Sequence, residues 1–440
     1  MAAERSTRRG LLATASATLG PALLAACGAT EDLDELPKTG ASVGKVVYAT
    51  WGTPQQRENE NWTLLAFEKN YSDLKVDVIW SATAAEHVNK QISMRSAGSA
   101  PDVIRLPSWS AFTFYNEDAV LRLDPFFKRD GFKPDHMAQP YDAGTFKRRW
   151  YGLQRGQAGA WVIFYNRKLL DAAGIKAPPT AWTWDDFLKT ARDLTRPASG
   201  ATPAQAGQWG TALEPLADFY YPWLWGNGGE DIERTAEKAL IDQPAAREAL
   251  IWVADLRHKH RVAPPAGELP DGVAAFATGR VGMWFGPAEA ELDLAKLPAV
   301  DYALAPQPKG KQGQQAGFKP DVVCLNAGGQ YLDDGWELMQ FLVDPDVQRL
   351  EFENGLWLPQ SKNIVGSEAY QKPGASPHDR RPGIPNIGIK ARSPVMLPRG
   401  DEMRAAILRE LAPFWRGTKS VQDATDAAAI AVNAILHGEA

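Results

Sequence analysis

With 440 residues, the chain is too long for one hydrophobic core, so its length predicts two domains. Apolar residues make up 44% of the chain and charged residues 23%, which is the composition of an ordinary globular protein. The net charge of −5 at pH 7 argues against nucleic-acid binding and against adhesion to an anionic membrane surface.

The first 27 residues have the pattern of an export signal. A basic start containing Arg8 and Arg9 precedes an apolar stretch that is too short to span a membrane, and the arginine pair resembles a twin-arginine signal. Leu24-Ala25-Ala26-Cys27 resembles a bacterial lipobox, in which Cys27 becomes the lipidated first residue of the mature chain. An ordinary signal peptide with an incidental cysteine is the alternative. Residues 28–44 are then predicted to be a flexible tether.

Only one cysteine is left in the mature chain if Cys27 carries the lipid. A disulfide within that chain is then impossible, despite the export signal. The remaining cysteine, Cys324, stands in the apolar run from Val322 to Leu325, which predicts a small buried side chain.

The first part of the mature chain alternates between strands and helices. The predicted strands cover residues 45–51, 73–80 and 101–106. The predicted helices run through Trp62 and Phe67, over 84–95 and over 109–116. Such an alternation predicts a mostly parallel sheet with helices on both faces.

The segment from Tyr151 to Thr195 has the clearest local pattern. Its bulky run from Trp161 to Tyr165 predicts a buried strand, and a short helix that ends at Gly174 follows it. Pro178-Pro179 then forces an extended turn, after which Thr183 is placed to cap a helix.

The later part of the chain has strands and amphipathic helices in a less regular order. Strand-like runs occur at 208–213, 281–287, 300–304 and 322–326. Helical patterns cover 245–260, 336–343, 403–415 and 421–436, and a polar segment rich in proline and glycine lies at 371–388.

A series of short motifs follows the same order as in one known family. Besides the segment 151–195, the series contains Pro101-Asp102-Val103, Asn227-Gly228-Gly229, Phe276 with Gly279–Met283, Pro306 with Pro308-Lys309-Gly310, Gly355 with Pro359, and Trp415-Arg416-Gly417. Each motif alone is weak, but their order along nearly the whole mature chain is specific. The chain thereby resembles the extracellular solute-binding proteins of ABC importers, family 1, which mostly bind sugars.

The resemblance implies an α/β fold with two lobes, of the class II periplasmic-binding-protein type. The ligand cleft would lie between the lobes, which are joined by crossing strands of the hinge. Lobe 1 is expected to comprise 45–165 and 321–361, and lobe 2 to comprise 166–320 and 362–436.

Five of the sixteen tryptophans are candidates for contact with a ligand. Trp51 and Trp109 directly follow predicted strands, at the sheet edge where doubly wound proteins bind ligands. Trp284 ends another strand, while Trp223 and Trp225 lie in an aromatic cluster. The flat face of an indole suits the C–H face of a sugar. For each of the five, packing in a core is the alternative.

Polar partners for a sugar are expected in neighbouring loops. Ser108 precedes Trp109, and the resemblance implies that Gln157, Glu214, Glu289 and Arg399 face the cleft. Carboxylates accept pairs of hydrogen bonds from sugar hydroxyls, which favours the two glutamates. Where some family members have an acidic residue before the crossing strand, this chain has Gly159-Ala160, so the pose of the ligand is open.

Catalytic and cofactor motifs do not fit this sequence. Gly40-Ala41-Ser42-Val43-Gly44 spells G-x-S-x-G, but it precedes the first strand, whereas a nucleophile elbow follows a strand. Neither a zinc motif, nor a P-loop, nor G-x-G-x-x-G occurs, so we predict no cofactor and no metal site. An exported glycosidase or lyase remains the enzymatic alternative, and it would need two carboxylates about 5–10 Å apart.

The predicted function is therefore that of a binding protein rather than an enzyme. It captures a sugar or oligosaccharide by hinge closure and delivers it to the transmembrane subunits of an ABC permease. The expected protein is a monomer outside the cytoplasm, attached to the cell membrane only through its lipid anchor, without a nucleic-acid partner. A non-sugar solute, or a sensing role beside a membrane receptor, is the alternative.

Overall fold

The computed structural model describes residues 36–136, 142–155, 160–197, 206–213, 219–265, 268–269, 271–297, 300–317, 320–373, 377–384 and 391–439. The predicted signal, Cys27 and the start of the tether lie outside these ranges. Within them, no helix is both long and apolar enough to cross a bilayer.

The strands fall into two five-stranded sheets and two short pairs among the described residues. Their bounds are β1 Lys45–Trp51, β2 Lys75–Ser81, β3 Val103–Pro107, β4 Thr145–Phe146, β5 Arg149–Trp150, β6 Leu153–Gln154, β7 Trp161–Asn166, β8 Arg196–Pro197, β9 Ala206–Leu213, β10 Val281–Pro287, β11 Tyr302–Ala305, β12 Ala316–Gly317, β13 Asp321–Leu325 and β14 Ala391–Arg392.

Helices connect and cover the strands. Their bounds are α1 Pro54–Asn70, α2 Ala84–Ser96, α3 Ser108–Asn116, α4 Asp124–Asp130, α5 Arg167–Ala172, α6 Trp184–Leu194, α7 Tyr221–Gly226, α8 Pro244–His258, α9 Gly272–Ala277, α10 Glu291–Leu294, α11 Leu332–Leu342, α12 Pro345–Glu353, α13 Lys362–Val365, α14 Glu368–Gln371, α15 Gly400–Trp415 and α16 Val421–Leu436.

The sheet of lobe 1 has the order β2-β1-β3-β13-β6. β1 pairs in parallel with β2 and β3, whereas β13 runs antiparallel to β3 and β6. The sheet has a hydrophobic core on each face. Tyr48, Phe67 and Trp336 pack on one face, and Ile104 and Cys324 pack on the other. Cys324 is buried as predicted, and burial raises the pKa of its thiol to about 12.

The sheet of lobe 2 has the order β11-β7-β10-β9-β8. β10 is parallel to β9, and β7 is antiparallel to both β10 and β11. On one face, α6, α7, α8, α15 and α16 form the larger core, which is rich in aromatic rings. The two-lobed α/β architecture agrees with the expectation, but both sheets are mixed rather than mostly parallel.

One predicted lobe boundary needs correction. The expected lobe 1 extended to residue 165. However, the strand that begins at Trp161 lies in the sheet of lobe 2, where its residue Ile163 pairs with Phe285 on one side and with Ala305 on the other. The last lobe 1 contact before this strand is that of Arg155, whose backbone N–H donates to the carbonyl of Asp321. The chain therefore leaves lobe 1 near residue 155, because the run 161–165 shows burial in the sequence but not the identity of its strand partners.

The two lobes touch through α3 of lobe 1 and α15 of lobe 2. The backbone N–H of Arg399 donates to Thr113 Oγ1 at 3.1 Å. The guanidinium of Arg404 lies 5.3 Å from the ring centre of Trp109. These contacts set the width of the gap in which the candidate site lies.

Candidate functional site: the cleft between the lobes

Two cavities lie between the lobes. The large cavity has a volume of about 440 Å³, and both lobes contribute to its wall, including Gln55, Asn59 and Trp357 from lobe 1 and Trp284 and Glu289 from lobe 2. The small cavity has a volume of about 30 Å³, and its wall includes Ser108, Trp109, Tyr221, Asp231 and Arg404. A molecule held in either cavity touches both lobes.

Amide side chains of α1 form part of the lobe 1 wall of the large cavity. The helix starts directly after β1 because Thr53 and Gln56 make a capping box, with Pro54 in the first turn. Gln55 Nε2 donates to Asn59 Oδ1 at 3.1 Å, and Asn59 Nδ2 donates to the carbonyl of Leu356 at 2.8 Å. These bonds fix α1 to the segment 356–358 on the same wall.

A network of buried charges lies in lobe 1 beside this wall. Arg155 donates to both carboxylate oxygens of Glu351, at 2.8 and 2.7 Å, and to Glu60 at 3.1 Å. Arg105 donates to Asp321 at 2.6 Å. We call Glu60, Arg105, Arg155, Asp321 and Glu351 the charge network. Burial acts to lower the pKa of Arg155, but the carboxylates of Glu351 and Glu60 outweigh it and raise the pKa above its ordinary value.

The charge network supports two tryptophans. The guanidinium of Arg105 lies 4.5 Å from the ring centre of Trp51 and 5.4 Å from that of Trp357, and Arg155 lies 5.7 Å from Trp357. His87 also packs against Trp51, with ring centres 5.0 Å apart, and burial lowers the pKa of His87 to about 4, so this ring is neutral at neutral pH. Both indoles are therefore held in place before any ligand arrives.

The lobe 2 wall of the large cavity follows the end of β10. Trp284 packs against Phe164, with ring centres 4.9 Å apart. A side chain at Gly286 would come within 2.4 Å of the Trp284 ring, so glycine is required at this close approach. Glu289 follows in the next turn, and burial raises the pKa of Asp293, which lines the same cavity.

The small cavity brings together groups from distant parts of the chain. Ser108 and Trp109 begin α3 directly after β3, which places them at the lobe 1 edge of the gap. Opposite them, the hydroxyl of Tyr221 donates to Asp231 Oδ2 at 2.6 Å. Asp231 is 3% exposed, and it was not among the residues that the sequence indicated.

The residues that the sequence indicated are distributed unequally. Ser108 and Trp109 line the small cavity, and Glu289 and the edge of Trp284 line the large one, although Trp284 is only 2% exposed and packs mainly in the core of lobe 2. Trp51 is half-buried under the guanidinium of Arg105, which also lies near Trp357, and Trp51 lines neither cavity. Gln157 and Glu214 lie outside the described residues.

Trp223, Trp225 and Arg399 have other surroundings than expected. Trp223 is fully buried in the core of lobe 2, with its ring stacked on Trp252 at 5.0 Å, so it offers no surface to a ligand in this structure. Trp225 is also buried, stacked on Tyr221 and covered by the guanidinium of Arg392 at 4.5 Å. Arg399 pairs with Glu402 and lies at the contact between α3 and α15 rather than in a cavity wall.

The sequence contained a weak signal for some of the missed residues. Gln55 stands in the first helical turn after β1, at the same sheet edge as Trp51, and Trp357 lies within the motif Gly355 to Pro359. Asp231 had no such signal. Among the described residues, no group of three or more histidine, cysteine, aspartate or glutamate side chains is placed to hold a metal ion.

Comparison with known proteins gives both sequence relatives and structural neighbours. A model of the family described as "Bacterial extracellular solute-binding protein" matches residues 48–349. A putative binding protein of Brucella abortus is 24% identical over 280 residues, which cover 62% of this chain and 66%, just under two thirds, of that protein. The sn-glycerol-3-phosphate-binding periplasmic protein UgpB of Yersinia enterocolitica is 19% identical over 84% of this chain and 87% of its own.

Solved structures share the fold over nearly their full lengths. The substrate-binding protein Lmo0181 of Listeria monocytogenes, in complex with cycloalternan, has a TM-score of 0.79 and 20% identity and covers 89% of this chain and 99% of its own. The GacH receptor of Streptomyces glaucescens has a TM-score of 0.75 and 19% identity, with 90% and 99% covered. UgpB of Mycobacterium tuberculosis, in complex with glycerophosphocholine, has a TM-score of 0.75 and 18% identity, with 90% and 100% covered.

Proposed function

Because the chain belongs to the bacterial extracellular solute-binding protein family, we propose that it captures a sugar or oligosaccharide and delivers it to an ABC permease. The observation that carries this proposal is the large cavity between the lobes. Its volume of about 440 Å³ falls in the range of roughly 300–1,000 Å³ that is typical of small-molecule sites. A ligand that touches both walls favours the closed arrangement of the lobes, which is the state that a permease would recognise.

The chemistry of the large cavity supports an uncharged, hydroxyl-rich solute. Gln55 and Asn59 place amide groups in the wall, which can donate and accept hydrogen bonds, whereas Trp284 and Trp357 are only 2% and 6% exposed and contribute small parts of their rings. Its described lining also carries three carboxylates, Asp271, Glu289 and Asp293, against one lysine, Lys296. An excess of carboxylates accepts hydroxyl donors and repels a phosphate.

The sugar-binding neighbours support the same class of solute. Lmo0181 was crystallised with cycloalternan, GacH with acarbose, and a relative of 26% identity over 37% of this chain is the melibiose/raffinose/stachyose-binding protein MelE of Bacillus subtilis. The UgpB proteins bind glycerol phosphates or a phosphodiester instead. The charge of the large cavity favours the first group.

Calorimetry on the mature chain tests the proposal. The panel contains maltose, maltotriose, raffinose, cycloalternan and acarbose, with glycerol 3-phosphate, glycerophosphocholine, amino acids and a polyamine as non-sugar solutes. We expect at least one sugar to bind with a dissociation constant in the micromolar range or below, about −8 kcal/mol. Binding of a non-sugar solute with silence across all sugars would contradict the proposed solute class.

Trp357→Phe tests the large cavity itself. The indole N–H of Trp357 is buried, and none of the described residues accepts a hydrogen bond from it. If a sugar oxygen accepts that bond, the variant should bind about five- to tenfold more weakly, which is the value of one hydrogen bond. Trp62→Phe is the matched control, because Trp62 lies on the same lobe, partly exposed and away from both cavities. Equal affinity of the two variants would contradict the role of Trp357.

Localisation and assembly belong to the proposal as well. Family members are extracytoplasmic, and we propose that Cys27 carries a lipid that attaches a monomeric chain to the cell membrane. Cys27→Ala should then release the protein from the membrane fraction. We further propose that the protein has no catalytic activity, and turnover of a chromogenic glycoside by the purified protein would contradict this.

A further inference from the structure

A buried carboxylate in the small cavity has only one of its two oxygens satisfied by another side chain. Asp231 Oδ2 accepts the hydroxyl proton of Tyr221 at 2.6 Å. Asp231 Oδ1 is buried, and no group among the described residues meets hydrogen-bond geometry with it, although the backbone N–H groups of Asp231 and Ile232 lie close enough to the carboxylate to lower its pKa. Such an oxygen is rare in proteins, since leaving it unpaired away from water costs free energy. The arrangement suggests that a donor from outside the chain completes the site.

The space beside Asp231 defines what that donor can be. The small cavity, about 30 Å³, has room for roughly one water-sized group. Trp109 and Ser108 of lobe 1 form one side, and the apolar side chains of Ile232 and Ile407 form much of the other. Because the two sides belong to different lobes, a solute reaches Asp231 only through the cleft.

The chemistry of Asp231 Oδ1 favours a neutral donor over an anionic group. Glu230, the neighbour of Asp231, accepts two hydrogen bonds from Arg392, at 2.8 and 2.9 Å, so this arginine is engaged. Arg404 lines the same cavity, with its guanidinium over the ring of Trp109. Within the part of the chain that the structure describes, Asp231 forms no ion pair. An ionised phosphate or carboxylate has no proton to donate to Asp231 Oδ1 and would meet the negative charge of that carboxylate.

We propose that Asp231 is a specificity-determining binding residue, whose Oδ1 accepts a hydrogen bond from one hydroxyl of a sugar that lies against Trp109. This inference rests on the proposed function and deepens it, since it names a contact on lobe 2 and the chemical group that it selects. The group is a neutral hydroxyl donor at the end of the solute, placed between an indole face and a buried carboxylate. Closure of the lobes brings Trp109 and Asp231 to opposite sides of that hydroxyl.

The protonation of Asp231 gives the proposal a pH signature. Burial raises the pKa of Asp231 to about 6, against the lowering effects of the Tyr221 hydroxyl and of backbone N–H groups in the same turn. Among the described residues, the charged groups near Asp231 and its Tyr221 partner are Glu230, Arg392 and Arg404. The ionised form accepts a hydroxyl donor better than the protonated form does. Affinity for the sugar should therefore fall about tenfold between pH 7.5 and pH 5, as expected for one proton that binds with that pKa.

Asp231→Asn, together with the exposed control Asp171→Asn, tests the inference by calorimetry on the full mature protein. The probe is the sugar of the panel that binds the wild type most tightly. We expect D231N to bind at least tenfold more weakly at pH 7.5 and to lose the pH dependence, while D171N keeps the wild-type affinity and pH profile. Equal affinity of D231N and the wild type, with a retained pH profile, would mean that only a water molecule occupies the small cavity, and would overturn the inference.

Two further outcomes keep the inference separate from the proposed function. If D231N does not fold, the wild-type pH profile decides, because an affinity that is constant from pH 7.5 to 5 overturns the inference without any variant. If the wild type binds no sugar at any pH, the proposed function fails and the inference fails with it. A wild type that binds sugar tightly at pH 7.5, alongside an unaffected D231N, contradicts the inference alone.

Discussion

The two lobes present different kinds of polar surface to the cleft. In lobe 1, the arginines of the charge network are paired with carboxylates of the same lobe, and Thr63 and Tyr48 donate to Glu351 and Glu60 as well. In lobe 2, Asp231 Oδ1 and the indole N–H of Trp225 are buried without a hydrogen-bond partner among the described residues. The charged groups of lobe 1 are thus paired within the lobe, although Arg105 Nε and the indole N–H of Trp357 are also buried without a partner among the described residues. In lobe 2, by contrast, an ionisable carboxylate, that of Asp231, has a buried oxygen without a partner in a cavity wall.

This difference indicates that the two lobes contribute differently to binding. A platform whose charges are already paired loses little conformational freedom when a solute arrives, which lowers the cost of association. Groups left unpaired on the opposite lobe gain their partners only when the cleft closes on the solute. Binding free energy is then coupled to closure, as a hinged binding protein requires.

The strongest test of this comparison is to break the charge network. Arg155→Met leaves Glu60 and Glu351 buried without their common partner, and we expect a loss of about 3–5 kcal/mol in the free energy of unfolding. Urea denaturation measures this loss. The exposed pair Lys189–Asp193 is the matched control, and Lys189→Met should change stability by about 0.5 kcal/mol or less. A loss below about 1 kcal/mol for R155M would show that the pairing of Arg155 with Glu60 and Glu351 contributes little to the stability of lobe 1.

Substitution of one tryptophan in each lobe should affect different properties: Trp223 in the core of lobe 2 should affect stability, and Trp109 at the cleft edge of lobe 1 should affect affinity for sugar. Trp223→Ala opens a cavity in the core of lobe 2, and we expect it to cost about 3–5 kcal/mol in the free energy of unfolding. Trp109→Ala removes a half-exposed ring from the cleft, so it should weaken sugar binding about tenfold or more and affect stability much less. Denaturation and calorimetry on both variants check the pair. If W223A were as stable as the wild type but did not bind sugar, Trp223 would have to be a ligand contact rather than a core residue.

These two tryptophans show which features of the structure could be predicted from the sequence and which could not. Helices with clear periodicity and caps were predicted closely, since 84–95 is observed at 84–96 and 421–436 is observed as predicted. Trp109 was placed at the cleft because a residue directly after a parallel strand lies at the ligand edge of the sheet. Trp223 has the same chemistry, but the short helix α7 turns it towards α6 and α8, and no local pattern encodes that packing.

Partners that are distant in sequence explain the remaining misses. Strand β7 was assigned to the wrong lobe because burial says that a strand is central, not which sheet contains it. Asp231 follows Gly228-Gly229-Glu230 and looks like a solvated residue, yet Tyr221 and residues of α15 enclose it. An unpaired buried carboxylate is recognisable only once these elements are brought together.

The last expected effect concerns the stability of Asp231 variants in the absence of sugar. The folded-state pKa of Asp231, about 6, lies above the ordinary value of 3.8, so the folded state holds this proton more tightly than the unfolded state does. The stabilising contribution is therefore complete below pH 3.8 and is lost as the pH rises through 6, by up to about 3 kcal/mol for a shift of about two units. Because asparagine does not ionise, the variant D231N does not lose this stability as the pH rises.

Thermal or urea unfolding of D231N and the wild type at pH 4 and pH 7.5 measures the difference. We expect nearly equal stability at pH 4 and a more stable variant, by about 2 kcal/mol, at pH 7.5. Addition of the sugar at pH 7.5 should reverse the order, since the wild type then gains the hydrogen bond that the variant makes less well. A variant that is less stable at both pH values would make Asp231 a structural residue of lobe 2. In that case, the contrast between the paired charges of lobe 1 and an incompletely paired carboxylate in lobe 2 would fall.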